Sequence, residues 1–447
     1  MPDPAAPPPS QAYADALARR TAELAAAAQP PSSPHRGAGG NLRGAGEEAV
    51  RAVGHDAVAL SHDLHAHPEE AFAEYRSVTA VADTLRAHGL AAQTGVHGLP
   101  TALRAVTGSG QAPRLAVLAE FDALPGLGHA CGHNVICGAA VGAFLALHRV
   151  LARDDTPAGT AVLLCTPAEE GGGGKELMAR DGAFDGLDAV LMLHPFSHDI
   201  ADHPFLGRRQ LEVTYHGVAA HAAAQPFMGR NALDAVVLGY QGVAMLRQHI
   251  PPPDRVHGVI LDGGQRPNVV PDRAVARYYL RSPEPDTLRD LTTRVEAIAV
   301  AAAAMAGCGY ELDWDPRPGY LPIRHNRTLG ARYAGHLGRC GRAVLPRGVV
   351  DESLTGSTDL GNVSVRVPAI HPMIAISDPG VMLHTPGFAE AAASGRADVA
   401  VRDGAAGLAL TALDFLADAD LRTAVADEFA AAGGVLDVAR FFDAGQP

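Results

Sequence analysis

Apolar residues recur at three-to-four spacing over residues 47–90. Val53, Val58, Leu60 and Leu64, then Val78, Val81 and Leu85, fall on common faces, which predicts helices. Three short runs break this period. Residues 115–119 (LAVLA), 160–165 (TAVLLC) and 189–193 (AVLML) are apolar throughout, as strands buried on both faces of a sheet are. A helical stretch over 138–151 separates the first two. Alternating strands and helices with wholly apolar strands predict an α/β fold around a mostly parallel sheet. From residue 210 the texture changes. Residues 210–215 alternate polar and apolar; 231–249 read as helix, 256–262 and 274–281 as strands, 288–306 as helix and 310–314 as a last strand. That order, βαββαβ, predicts a small ferredoxin-like antiparallel sandwich inserted into the α/β domain, whose texture resumes near residue 320.

Four segments follow. Residues 1–45, opening on MPDPAAPPPS and closing on PPSSPHRGAGG around a candidate helix at 11–28, read as a flexible tail. Residues 46–205 form the first part of a catalytic domain, 206–318 the insertion, and 319–447 the second part. Composition adds exclusions. The 447 residues carry a net charge of −13, so no basic surface for nucleic acid or an anionic membrane is expected. No run of 18 apolar residues predicts a transmembrane helix, and the N-terminus has no basic-then-apolar leader pattern. Five cysteines, an odd count, do not make a disulfide framework; a reducing, cytoplasmic setting is expected.

Candidate chemistry gathers where the apolar runs end, the rim at which open α/β sheets bind ligands. LAVLA leads into Glu120, Asp122 and GLGHACGHN, TAVLLC into Glu169, Glu170 and four glycines, and AVLML directly into His194. The thiolate of Cys131 and the imidazoles of His133 and His194 suit zinc and similar ions. Adjacent carboxylates such as Glu169 and Glu170 are costly to bury unless a cation offsets them; one can bind metal while the other takes a proton from activated water. GGGGKE is no phosphate loop, because Glu176 stands where that loop needs Ser or Thr. His62, His65 and His67 read as a helix terminus near the cleft. No G-x-S-x-G nucleophile elbow occurs, which argues against a serine hydrolase. A non-catalytic peptide-binding or scaffold protein on the same fold is the alternative reading.

The motifs EFDALPGLGHACGHN, TPAEEGGGGK, LMLHP, GVAAHAAAQPFMGRNALDAV, RVHGVILDGGQRPNVVPD, GSTDLGNVSVRVPAIHP and HTPGF occur in this order over residues 47–425. In them the chain resembles the dinuclear zinc metallopeptidases and amidohydrolases of the aminoacylase and carboxypeptidase G type. Within that family it is most similar to the branch of the p-aminobenzoyl-glutamate hydrolases and the aminoacylase-1-like dipeptidases. The resemblance implies hydrolysis of an amide bond in a dipeptide, N-acyl amino acid or aminobenzoyl-glutamate-like substrate. It implies two divalent ions, zinc first with manganese or cobalt as alternatives. Cys131 takes the bridging position, His133 and His194 complete one ion's set, and Glu170 and His384 the other's. Asp122 matches a residue that orients a ligand, and Glu169 the general base. His221 matches a histidine that reaches into the partner subunit's active site to stabilise the oxyanion, and Asn268 a substrate contact. The insertion then serves as a dimerisation or lid domain of a homodimer, or of one component in a larger hydrolase. Two departures stand out. Glu120 occupies a position where many relatives have a ligating histidine. The segment GSTDLGNVS differs from the usual GSEDF type; its Ser357 and Asp359 are expected to line the substrate pocket, with a structural role as the alternative.

Overall fold

The computed structural model describes residues 9–443 and contains two packed units. The larger is built on a six-stranded sheet. Its strands are β1 (Ala92–Thr94), β2 (Leu103–Gly108), β3 (Arg114–Ala119), β4 (Thr160–Cys165) and β5 (Ala189–Leu191); the sixth closes the far edge from late in the chain. A short strand β6 (His194–Phe196) follows β5. The second unit holds β7 (Gly207–His216), β8 (Arg255–Asp262), β9 (Arg273–Ser282) and β10 (Gly309–Trp314). The chain then returns to the first unit and adds β11 (Ala369–Ile370) and β12 (Met373–Ala375).

The main sheet has the order β1-β2-β4-β3-β5-β11. β4, β3, β5 and β11 run parallel, while β1 and β2 are antiparallel additions at one edge. The mostly parallel sheet is thus present, and every residue of β4 is buried, as its unbroken apolar run requires. Helix His133–Leu151 lies at the centre of the largest core, against helices Gly40–Ala66 and Gly395–Ala417. It is long and apolar enough to cross a membrane, yet 83% of its apolar window is buried in protein, which makes it a core helix.

The insertion has the expected βαββαβ order, with helices Ala232–Leu246 and Pro285–Ala306 between its strands. Its antiparallel sheet runs β10-β7-β9-β8, and its own apolar core includes Leu211, Tyr215, Val236, Tyr278 and Val295. The two chain crossings pair with each other: Arg208 and Tyr320 exchange both backbone hydrogen bonds at 2.8 Å, and Arg209 adds an ion pair to Asp315 at 2.7 Å.

Two segments differ from expectation. Residues 1–8 of the expected tail lie outside the described residues, but from residue 9 the chain is not a free tail. Ala12–Ala27 is helical, and the strap after it is tied to the catalytic unit: Gly37 and Ala38 donate backbone N–H groups to Asp418 and Asp414, and Arg332 binds the His35 carbonyl. The Pro/Gly composition suggested flexibility, yet these carboxylates pair with its backbone donors. At the other end, Val438, Phe441 and Phe442 of helix Val438–Asp443 join the core of the insertion. The aromatic pair finds its apolar partner there, so residues 319–447 do not belong wholly to the catalytic unit.

Candidate metal centre

Cys131 and His133 flank Gly132, which caps helix His133–Leu151 in the left-handed region (φ 78°). A Cβ on Gly132 would sit 2.9 Å from Pro195, so a glycine there lets this turn lie against His194 and Pro195 at the start of β6. Glu169 and Glu170 follow β4. Ala168 just before them is itself left-handed (φ 59°), as is His384 (φ 61°). Such strain in non-glycine residues persists only where surrounding bonds over-determine it. Here Glu74 accepts the Ala168 N–H at 2.9 Å and the Thr101 hydroxyl at 2.8 Å, and the Tyr320 hydroxyl donates to the Glu169 carbonyl at 3.0 Å.

These turns converge. Donor atoms of Cys131, His133 and His194 lie within 4.8 Å of one another, and so do those of Cys131, Glu170 and His384. Cys131 is common to both groups. The imidazole tautomers are set from outside. His133 Nδ1–H donates to the Asp122 carbonyl at 2.8 Å, and His194 Nδ1–H to the Pro195 carbonyl at 2.7 Å, which leaves both Nε2 atoms as the ones available to a metal ion. Cys131 Sγ is 3.6 Å from His194 Nε2, and His384 Nε2 is 3.5 Å from Glu170 Oε1. Asp122 also accepts the Glu170 N–H at 2.9 Å, coupling the two turns.

The donors fit divalent ions. His133 Nε2 and Glu170 Oε1 are buried without a hydrogen-bond partner, an arrangement that is costly unless something else satisfies them. Burial, reinforced by Glu170, pushes the Cys131 thiol well above its ordinary value, and burial with Glu120 and Glu170 nearby does the same to the Glu169 carboxyl. Burial, with His133 beside it, lowers His194 to about 3, so its imidazole is neutral and free to ligate. The Cys131 sulfur common to both groups, with two imidazoles in one and an imidazole and a carboxylate in the other, makes a mixed S/N/O donor set that would suit zinc, manganese or cobalt.

Other expected residues fall in different places. His221 is exposed on the insertion, and its hydrogen bonds lie within its own loop. Its Nδ1 accepts the Ala223 and Ala224 N–H groups at 3.2 and 3.1 Å, so the proton sits on Nε2. Asn268 holds that loop through its carbonyl, which accepts the Ala222 N–H at 3.0 Å. Asp359 is fully buried and grips Lys175, with a carboxylate oxygen within 4.8 Å of oxygens of Glu120 and Glu169. Ser357 is half-buried and accepts a bond from Arg281 at 3.2 Å. Glu120 points at Lys175 and, through its other oxygen, toward His133 at 3.6 Å. His62, His65 and His67 lie at the end of helix Gly40–Ala66, bonded to Asp398, the Ala389 carbonyl and the Asp63 carbonyl.

Sequence reasoning misses five participants. Lys175 enters it only within a run that is no phosphate loop. Glu74 looks like a helix-boundary acid. His371, fully buried and edge-on to the His194 ring at 5.5 Å, has no spacing signal. Arg208 and Arg281 stand in ordinary strand patterns. Their guanidinium groups lie close enough to act on each other: Arg208 stacks on Tyr320 at 4.1 Å, and burial with Arg208 nearby lowers Arg281 below its ordinary value. Neither has a carboxylate partner within ion-pair distance among the described residues.

An α/β sheet that carries paired cation-binding groups at its strand ends, with a ferredoxin-like domain inserted beside them, defines a metallopeptidase-type hydrolase. Residues 116–400 match peptidase family M20/M25/M40, and the chain belongs to that family. It is 39% identical to the Xaa-Arg dipeptidase of Mus musculus over 86% of this chain and 90% of that protein. It is 36% identical to a component chain of the p-aminobenzoyl-glutamate hydrolase of Escherichia coli (strain K12), over 63% of this chain and 62% of that one. Its fold superimposes on the Bacillus subtilis YXEP protein, a dinuclear metal binding peptidase of family M20, with a TM-score of 0.61 at 19% identity, covering 81% and 99% of the two chains. The protein is accordingly an enzyme that hydrolyses peptide or amide bonds.

Proposed function

We propose that the protein is a metal-dependent dipeptidase or N-acyl amino-acid amidohydrolase acting through two ions, with Glu169 as general base. The observation that carries this reading is the pair of three-donor groups sharing Cys131 Sγ, with the Glu169 carboxyl beside them. Cys131, His133 and His194 would hold one ion, and Cys131, Glu170 and His384 the other. Two divalent ions there would supply a water of lowered pKa and a Lewis acid for the amide oxygen. The rest falls to the chain. Glu169, which reaches to 4.0 Å from His133 Nε2, takes a proton from the attacking water and delivers it to the leaving amine. Asp122 holds His133 in the ligating tautomer.

Arg208 and Arg281 receive the substrate's free carboxylate. Two guanidinium groups that repel each other and lack an acidic partner are a ready anion site, and Arg281 is close enough to feel the charge of Glu169. The substrate is therefore an amide whose leaving or acyl part ends in a carboxylate. Dipeptides ending in arginine or lysine head the panel to test, given the similarity to the mouse Xaa-Arg dipeptidase, with p-aminobenzoyl-glutamate beside them.

His221 stabilises the developing oxyanion from a second subunit. With Nδ1 accepting two backbone N–H groups, its Nε2–H is left as a donor for such an oxygen. A homodimer is further supported by β8, an edge strand of the insertion on which Val259, Ile260 and Leu261 are all exposed. The decisive experiment is Glu169→Gln. The variant should keep its metal content, measured by elemental analysis, while kcat for dipeptide hydrolysis falls at least ~100-fold. An active variant removes Glu169 from the role of base.

A further inference from the structure

Lys175 is fully buried, and the reaction as described does not use it. Its Nζ contacts Glu120 Oε1 and sits 2.6 Å from Asp359 Oδ1, and its backbone N–H donates to Asp359 Oδ2 at 2.9 Å. Burial alone would pull this ammonium down, but Asp359 and Glu120 more than offset it and hold it well above the ordinary lysine value, so it is charged. The carboxylates around it stand close enough together to hold a metal ion. Carboxylate oxygens of Glu120, Glu169 and Asp359 lie within 4.8 Å of one another, all three buried. Glu120 Oε2 has no hydrogen-bond partner.

Charge makes the consequence concrete. Five carboxylates (Glu120, Asp122, Glu169, Glu170 and Asp359) and the Cys131 sulfur crowd one region. Two divalent ions offset four negative charges and Lys175 a fifth, which leaves one, that of the base. Crowded buried carboxylates without a counter-charge recruit a cation or a proton. We infer that the Lys175 ammonium is a resident cation of this active site. It pairs with Glu120 and Asp359, two of the three carboxylates of a cage that, with Glu169, stand close enough to take a third metal ion, and by occupying those two it keeps Glu169 out of metal coordination. Lys175 is in this sense a positioning residue. It acts through the base and reaches across three chain segments: the end of β3, the glycine turn after β4, and residue 359 from the second part of the catalytic unit.

The inference rests on the two-ion reading, and one titration separates them. The full-length protein is stripped with chelator and titrated with Mn²⁺ by calorimetry, alongside Lys175→Met, which keeps length without charge, and Lys175→Arg, which keeps charge. The parent and Lys175→Arg should each take up two Mn²⁺ per chain, and Lys175→Met three. In Lys175→Met, kcat should fall at least tenfold with KM within about threefold of the parent, because the base becomes a ligand while the carboxylate clamp is untouched. Two Mn²⁺ in both parent and Lys175→Met overturns the cage and leaves the two-ion reading standing. No uptake by the parent but one Mn²⁺ by Lys175→Met supports the cage and overturns the two-ion reading. Lys175→Gln takes the place of Lys175→Met in the same titration should the latter fail to fold.

Discussion

Glu74 shows how a residue far from any motif comes to anchor the turn that carries Glu169. It is fully buried at the start of helix Tyr75–Ala87, and burial raises its carboxyl above the ordinary range. One oxygen holds the backbone of strained Ala168, immediately before the base, and the other holds Thr101. Glu74→Ala leaves both donors buried and unpaired, which costs about 1–3 kcal/mol. The expected result is a lower Tm and a kcat reduced about tenfold with metal content unchanged, since the turn carrying Glu169 loses its anchor. A full kcat in a destabilised variant would confine Glu74 to a structural role. The candidate ligands and the candidate base, by contrast, were legible wherever chemistry follows a strand: Cys131, His133, Glu170 and His194, and Glu169 as base, announce themselves by residue type after strand ends. His384 and His221 carry no such signal, because what brings a distant loop to a site is tertiary packing, and only the motif resemblance pointed to them. Arg208 and Arg281 were invisible for a related reason. An arginine in a strand usually faces water, and nothing local says that a second guanidinium will face it.

The elements that position the site pack unusually closely. In helix His133–Leu151, whose first residue is a candidate ligand, a Cβ on Gly138 would lie 2.8 Å from the Ala57 carbonyl oxygen. One on Gly142 would lie 2.9 Å from the Ala57 Cβ and 3.2 Å from the Ala405 Cβ. Both glycines let three helices meet around one axis behind the sheet. Gly142→Val forces that contact apart, and overpacking of this kind costs about 1–3 kcal/mol. Thermal unfolding of the metal-loaded protein should show a lower Tm, by about 1 °C for each kcal/mol in a chain of 447 residues. A Tm equal to the parent's would mean that the three helices have room to give. These long elements were legible because period and length agree. The short ones were not. β1 has three residues and β11 two, too few for any alternation to register, and β2 pairs antiparallel at the sheet edge, where one face is not covered. The strap after helix Ala12–Ala27 escaped detection because it is held by its backbone, through Asp414 and Asp418, and backbone bonding leaves no pattern in side chains.

At the scale of the whole molecule, the net charge of −13 tells little about substrate, since several of the carboxylates behind it turn inward to the metal centre. At this scale the proposed role of His221 turns on which subunit's site it serves. Its side chain is exposed, its proton is fixed on Nε2 by two backbone donors to Nδ1, and its partners all belong to its own loop. The apolar edge of β8 lies on the same inserted domain. Two copies joined through that domain would let each loop complete the other's site, whereas action in cis would require the insertion to swing onto its own sheet about the paired crossings at Arg208 and Tyr320. Subunit mixing separates these outcomes. His221→Ala and Glu169→Gln should each be nearly inactive alone. If His221 acts in trans, a hybrid dimer contains one site with an intact base and the partner's intact histidine, and one site lacking both. Equal mixing with free exchange makes half the dimers hybrid, so activity should recover to about a quarter of the parent's per chain. Action in cis predicts no recovery at any ratio, since every chain then carries its own defect; with exchange verified by tagged subunits, that result would remove the second subunit from the active site.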